Sequence, residues 1–279
     1  MVGEALALTA ALCFGITHFL NGLLARRADS AAVALVSQVG GTVLMLVVAP
    51  FVAAPQVSGE ALGWGTLSGI GTGIGAAFLY RGLGNGRFSV VVPLSDVGAV
   101  ALPVLVGVVL LGDRPGLGAW CGIVAALPAL WLVSRSDHDG APATASGAGD
   151  GLVAGAAFAL QFVAIAQADP AAGLWPLVAS RAASVVAIAP LLLRHPGRIR
   201  MPARLAWGCA GAGALGTVAI TLYALASREQ LLSLAVVLTA LYPAIPVVLG
   251  VTVLRERLTR AQQLGLACAA AAIVLISLD

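Results

Sequence analysis

Slide residues 37–134 forward by 143 positions and they fall on residues 180–277 without a gap. Ser37 meets Ser180, Trp64 meets Trp207, Tyr80 meets Tyr223, Pro103 meets Pro246, Gly107 meets Gly250 and Gly122 meets Gly265. The acidic-Arg pair Asp113-Arg114 meets Glu256-Arg257. The 21 identities in 98 positions are a modest count for a chain rich in Ala, Leu, Val and Gly. The Trp and Tyr matches weigh more, because the whole chain has only 5 Trp and 3 Tyr. Such a chain has to be read as two copies of one unit. When the unit is hydrophobic the duplication also suggests a function, since many secondary transporters are built from two such halves.

Hydrophobic residues make up 60% of the 279 positions, charged residues 10%, and the mean hydropathy is +1.01. A soluble domain carries about 25% charged residues, so this chain cannot cover itself with a water-compatible surface, and a lipid bilayer is its expected surroundings. The net charge of +3 comes from Arg alone, with no Lys, and gives no sign of a nucleic-acid surface. Cys13, Cys121, Cys209 and Cys268 all fall in apolar runs without CxxC or Cys/His spacing. They read as small buried hydrophobes rather than metal ligands or disulfides. The first apolar stretch has no basic residue before it and no cleavage site, and reads as a retained membrane helix rather than a signal peptide.

A membrane helix needs about 20 mostly apolar residues. Runs of that kind fall at 4–25, 31–54, 62–84, 88–111 and 116–134, then at 151–168, 173–193, 204–226, 230–254 and 260–278. The expected fold is therefore an all-α integral membrane protein of ten transmembrane helices. It divides into a first five-helix repeat (1–134), an exposed linker rich in Asp, Gly, Ala and Ser (135–150), and a second five-helix repeat (151–279). Five is odd, so a second copy folded like the first enters from the opposite face. The pair is inverted about an axis in the membrane plane.

The Arg distribution orients it. Odd-numbered loops carry Arg26, Arg27, Arg87, Arg135, Arg194, Arg198, Arg200, Arg204, Arg255, Arg257 and Arg260, against Arg114 and Arg228 on the other face. The positive-inside rule makes the odd loops cytoplasmic and puts both termini outside; a miscounted helix would reverse this. Gly65, Gly69 and Gly73 in segment three, with Gly71 and Gly75 beside them, match Gly208, Ala212 and Gly216 in segment eight. Small residues four apart let helix backbones approach closely in lipid.

Ala240-Leu-Tyr-Pro-Ala-Ile-Pro246, running on to Leu254-Arg-Glu-Arg-Leu-Thr259 and Gln263-x-Gly265, resembles the drug/metabolite transporter superfamily. Within it the chain is similar to EamA-type transporters with two five-helix repeats. Pro243 and Glu256 fit that pattern. In the first repeat Val100 stands where the Pro is expected, Asp113 replaces Glu and Trp120 replaces Gln. The resemblance covers essentially the whole chain and implies a transporter without a cofactor, whose members export or import quite different small metabolites. Relatives are commonly drawn with both termini in the cytoplasm, against the Arg count here.

An ionisable side chain at mid-bilayer is costly and usually faces a cavity or a partner. His18, Asp96 and Arg181 are the candidates here, with Asn21, Gln38 and Gln161 as uncharged company and Tyr242 beside Pro243. The repeat shift sets His18 opposite Gln161, Gln38 opposite Arg181 and Asp96 opposite Thr239, as a shared cavity on the axis would. Asp96 follows Pro93 and Ser95, where a broken helix would expose backbone. It reads as a site for a coupling H+ or Na+ or a substrate amine, or as an ion pair with Arg181. Arg181 either captures a substrate carboxylate or neutralises Asp96. His18 and Asn21 share one helix face, and a lone His there is more often a satisfied hydrogen-bonding residue. Tyr80 and Tyr223, near segment ends, suit an interfacial belt, and Arg81 suits snorkelling to the headgroups. Asp113-Arg114 and Glu256-Arg257 read as structural corners.

The leading expectation is a secondary active transporter, exporting a small polar or amphipathic metabolite by alternating access. It would run on an ion gradient or exchange, as a monomer or homodimer in the bacterial cytoplasmic membrane. No GxxxxGK[ST] is present to hold a nucleotide. A lipid scramblase or assembly factor is the alternative class. An intramembrane enzyme is a weaker one, lacking HExxH, GxSxG or a paired-aspartate signature.

Overall fold

The computed structural model describes residues 2–25, 27–85, 88–134, 148–193, 200–253 and 259–277. Residues 135–147 of the linker, Arg87 and Glu256-Arg257 lie outside the described residues, as do the side chains of Tyr80, Arg81 and Pro93. Eleven α-helices occupy the described residues: α1 Val2–Ala25, α2 Ser30–Val48, α3 Gly59–Asn85, α4 Phe88–Val109, α5 Leu117–Ser134, α6 Ala148–Ala166, α7 Trp175–Leu193, α8 Ala203–Glu229, α9 Leu232–Thr239, α10 Ala244–Val253 and α11 Arg260–Ser277. Helices α9 and α10 are the two pieces of one broken rod, so the architecture is a bundle of ten rods, five in each repeat. The chain is a multi-pass membrane protein. Among the described residues α1, α2, α6 and α8 are long and apolar enough to span outright, and α4, α5, α7 and α11 carry shorter apolar runs.

The repeat is exact to within a residue at several ends. Shifting α3 by 143 gives 202–228, against 203–229 for α8, and shifting α5 lands on α11. Polar caps set some of the boundaries. Asp29 accepts from the backbone N–H groups of Ala31 (3.0 Å) and Ala32 (3.3 Å), satisfying donors that the first turn of α2 leaves free.

Each repeat packs mainly on its twin rather than on itself. Helix α3 lies against α6 and α7, and in the mirrored arrangement α8 lies against α1 and α2; α5 pairs with α11. Glycine makes these contacts close. A Cβ on Gly65 would strike the Pro176 carbonyl, one on Gly69 the Ser180 carbonyl, and one on Gly73 the Ala187 side chain, so α3 and α7 run parallel in register. On the mirrored side Gly213 sits on the Ser37 carbonyl and Gly41 on Thr217. Two loop contacts fix the inversion. Gln56 N–H donates to Ala171 O (3.2 Å), which puts the end of α2 beside the start of α7, its counterpart. Asp113 Oδ2 accepts from Ser233 N–H (2.8 Å), which puts the end of α4 beside the start of α9. Counterpart helices therefore run in opposite directions.

Two expectations need correcting. Helix α4 is continuous through 88–109, so no break exposes backbone near Asp96. The break lies in its counterpart, at 240–243, where Pro243 has no N–H to donate and Val100 stands at the matching place in α4. Short i to i−3 bonds bridge the gap: Tyr242 N–H donates to Thr239 O (3.3 Å) and Ala244 N–H to Leu241 O (3.1 Å). Tyr223, in turn, is no interfacial residue. Helix α8 continues past it to Glu229, its ring is fully buried, and its hydroxyl donates to Phe162 O (3.0 Å).

Candidate functional site

The polar residues picked out in the sequence fall into two groups. The first lies where α2, α3, α6 and α7 meet, and both repeats contribute to it. Arg181 Nη1 donates to Gln38 Oε1 (3.0 Å), a bond between the two residues that the repeat shift makes equivalent. Ser184 Oγ lies 3.0 Å from the same oxygen and 2.7 Å from the Arg181 carbonyl, and shares its one proton between them. Arg181 Nη2 approaches Thr72 Oγ1 (3.5 Å), and Thr72 donates in turn to Gln161 Oε1 (2.5 Å). Ser68 Oγ donates to the Gln161 carbonyl (3.0 Å), with Ser180 Oγ 3.3 Å away. Ser68, Thr72, Gln161, Ser180, Arg181 and Ser184 are all buried. Asn21 stands at the margin, accepting from Ser37 Oγ (3.0 Å), one residue before Gln38.

The second group gathers at the break between α9 and α10. Tyr242 donates its hydroxyl to Asp96 Oδ1 (3.0 Å) and stacks on His18, with ring centroids 4.6 Å apart and planes 25° from parallel. Phe14 completes the cluster, 6.1 Å from Tyr242 and 6.2 Å edge-on from Phe162. His18 Nδ1 sits 2.7 Å from the Phe14 carbonyl. A carbonyl oxygen only accepts, so Nδ1 carries the ring proton that makes this bond.

Asp96 and Arg181 are thus held by different partners, and among the described residues they form no ion pair with each other. His18, Asp96 and Tyr242 come together, as do Gln38, Gln161 and Arg181. Asp96 meets Tyr242, three residues beyond its repeat counterpart Thr239, whose Oγ1 faces the Ala7 carbonyl (3.4 Å). Sequence reasoning missed Ser68, Thr72, Ser180, Ser184 and Phe14. A signal was present for most of them. Ser68 and Thr72 lie four apart on the glycine face of α3, Ser180 is a repeat identity, and Ser184 stands one turn from Arg181. Among the described residues no cluster of His, Cys, Asp and Glu is arranged to hold a metal.

The two groups are bridged through α6. Its successive carbonyls at Gln161 and Phe162 receive Ser68 from α3 and Tyr223 from α8, which are counterparts in the repeat. Apolar side chains cover the outside, among them Phe51, Leu117 and Trp207 at 85%, 82% and 78% exposed, as lipid contact requires.

A family model described as the EamA-like transporter family matches residues 1–135 and 146–278. No curated protein matches the chain in sequence. A solved crystal structure is similar in fold, with a TM-score of 0.77 at 16% identity over 99% of this chain and 96% of the other.

Proposed function

The chain belongs to the EamA-like transporter family, and from that premise we propose that it is a secondary active exporter of a small polar or amphipathic metabolite in the bacterial cytoplasmic membrane. The observation that carries this reading is the polar network joining the half-buried Gln38 to the buried Thr72, Gln161 and Arg181, shared between inverted repeats. Polar groups at such depth are expensive and mark substrate or ion pathways. The mirrored contacts, α3 on α6 and α7 against α8 on α1 and α2, support an alternating-access mechanism. One set closes a face while its twin opens the other, and exchanging the two conformations moves the site from one side to the other.

Asp96 is the coupling group in this reading and takes H+ or Na+. Tyr242 ties it to the break in the α9–α10 rod, so loading Asp96 and moving the rod are linked. The odd loops face the cytoplasm and the protein works as a monomer or homodimer. Proteoliposomes test the reading. Purified protein should move at least one member of a metabolite panel under an imposed H+ or Na+ gradient or in counterflow. Failure to move any under either condition sinks it.

A further inference from the structure

Arg181 is 5% exposed, and its partners among the described residues are neutral. Nη1 is pinned by Gln38, Nη2 reaches Thr72 only at 3.5 Å, and Nε is buried without an acceptor. The other polar side chains of the cluster, Ser68, Gln161, Ser180 and Ser184, carry no charge either. A guanidinium is not deprotonated in a protein, so a full positive charge stands in a buried position with no counter-charge among the described residues. A buried charge ordinarily requires a partner, because the loss of its hydration is otherwise uncompensated. Fold stability gives no reason to keep it.

The unmet donors also have a shape. Nε–H and the neighbouring Nη2 N–H lie along one edge of the planar guanidinium. That edge, with one orphan donor and one long bond, is the edge a carboxylate meets with two parallel hydrogen bonds. Gln38, itself held by Ser184, fixes Nη1 and so sets the plane of the group.

We propose that Arg181 is the anion-capture group of the transport site and that the cargo carries a single carboxylate. This deepens the transporter reading and rests on it. One cation matches one negative charge; a phosphate dianion would bring a second that nothing in the cluster neutralises. The repeat shift places a neutral Gln38 at the equivalent position, so the inverted halves provide one capture point rather than two.

The test uses the full chain in nanodiscs, with thermal unfolding measured against lactate, benzoate, leucine and phenylalanine, their amides, and inorganic phosphate. A monocarboxylate should raise Tm progressively with its concentration, while its amide and phosphate do not. Arg181→Gln should abolish that response. Gln38→Glu serves as an independent variant, since it sets a carboxylate where Nη1 already donates. It should raise the Tm of the unliganded protein and cancel the response to added carboxylate. The proposal is overturned if amide and acid stabilise equally, if phosphate alone does so, if no acid does so, or if Gln38→Glu lowers Tm. Failure of the transporter reading looks different. A carboxylate that binds through Arg181 but is never transported keeps the capture site and removes transport. A neutral metabolite carried equally by wild type and Arg181→Gln keeps transport and removes the capture site.

Discussion

At the scale of single residues, the site rests on a few ionisable and amide side chains set in apolar helices. His18, Gln38, Asp96, Gln161 and Arg181 stand out because an ionisable or amide group is conspicuous in an apolar run. Which of them touch depends on how four helices rotate about their axes, and nothing in the residue order states that. Tyr223 shows the limit. Its position late in a segment suggested an interface, yet the helix runs on and the ring fills the core over Phe162. For Asp96 the proposed coupling role gives a sharp expectation. Asp96→Asn keeps an acceptor for the Tyr242 hydroxyl but cannot take up a proton, so gradient-driven uptake should fall more than tenfold while substrate exchange persists. Uptake and counterflow on the same vesicles check this. Equal loss of both, with normal folding, would make Asp96 a binding residue instead of a coupling one.

At the scale of the helix, the boundaries were largely legible because lipid imposes a length and Gly, Pro and Arg punctuate it. The expected segment 116–134 is α5 at 117–134, and 260–278 is α11 at 260–277. The break was assigned to the wrong member of its pair. Pro93 drew attention to α4, but Pro243, unmatched in the first repeat, decides where the rod divides. The close helix approaches yield a prediction with its own control. A side chain at Gly213 would enter the Ser37 carbonyl, while Gly211, two residues away, opens onto free space. Gly213→Val should cost about 1–3 kcal/mol or more, as overpacking does. Gly211→Ala should be neutral or stabilise by roughly 0.5–1 kcal/mol through the lower backbone entropy of Ala. Thermal unfolding of the two variants side by side checks the difference, and identical behaviour would deny the contact any weight.

At the scale of the whole molecule, the duplication and the odd helix count together implied the inverted fold, which the Gln56–Ala171 and Asp113–Ser233 contacts show directly. The exchange of partners between repeats was not legible, because a repeat offset records equivalence and says nothing about contact. Absolute orientation rests on the Arg asymmetry and is open to direct measurement. In a variant lacking Cys13, Cys121, Cys209 and Cys268, Gln56→Cys should react with a membrane-impermeant thiol reagent on intact cells. Arg27→Cys should react only after permeabilisation. The opposite pattern would place both termini in the cytoplasm.

The exchange of partners also sets a timetable for biosynthesis. Helix α1 ends at Ala25 and the helix it packs on, α8, begins at Ala203, 178 positions later. At about 5–20 residues per second the ribosome takes roughly 10–35 s to cross that interval. Throughout it, the faces of α1 and α2 destined for α8 stay without their native cover. A nascent chain that stops before α8 therefore presents orphaned helices to membrane quality control, and damage written into α8 is felt first by the helices made earliest.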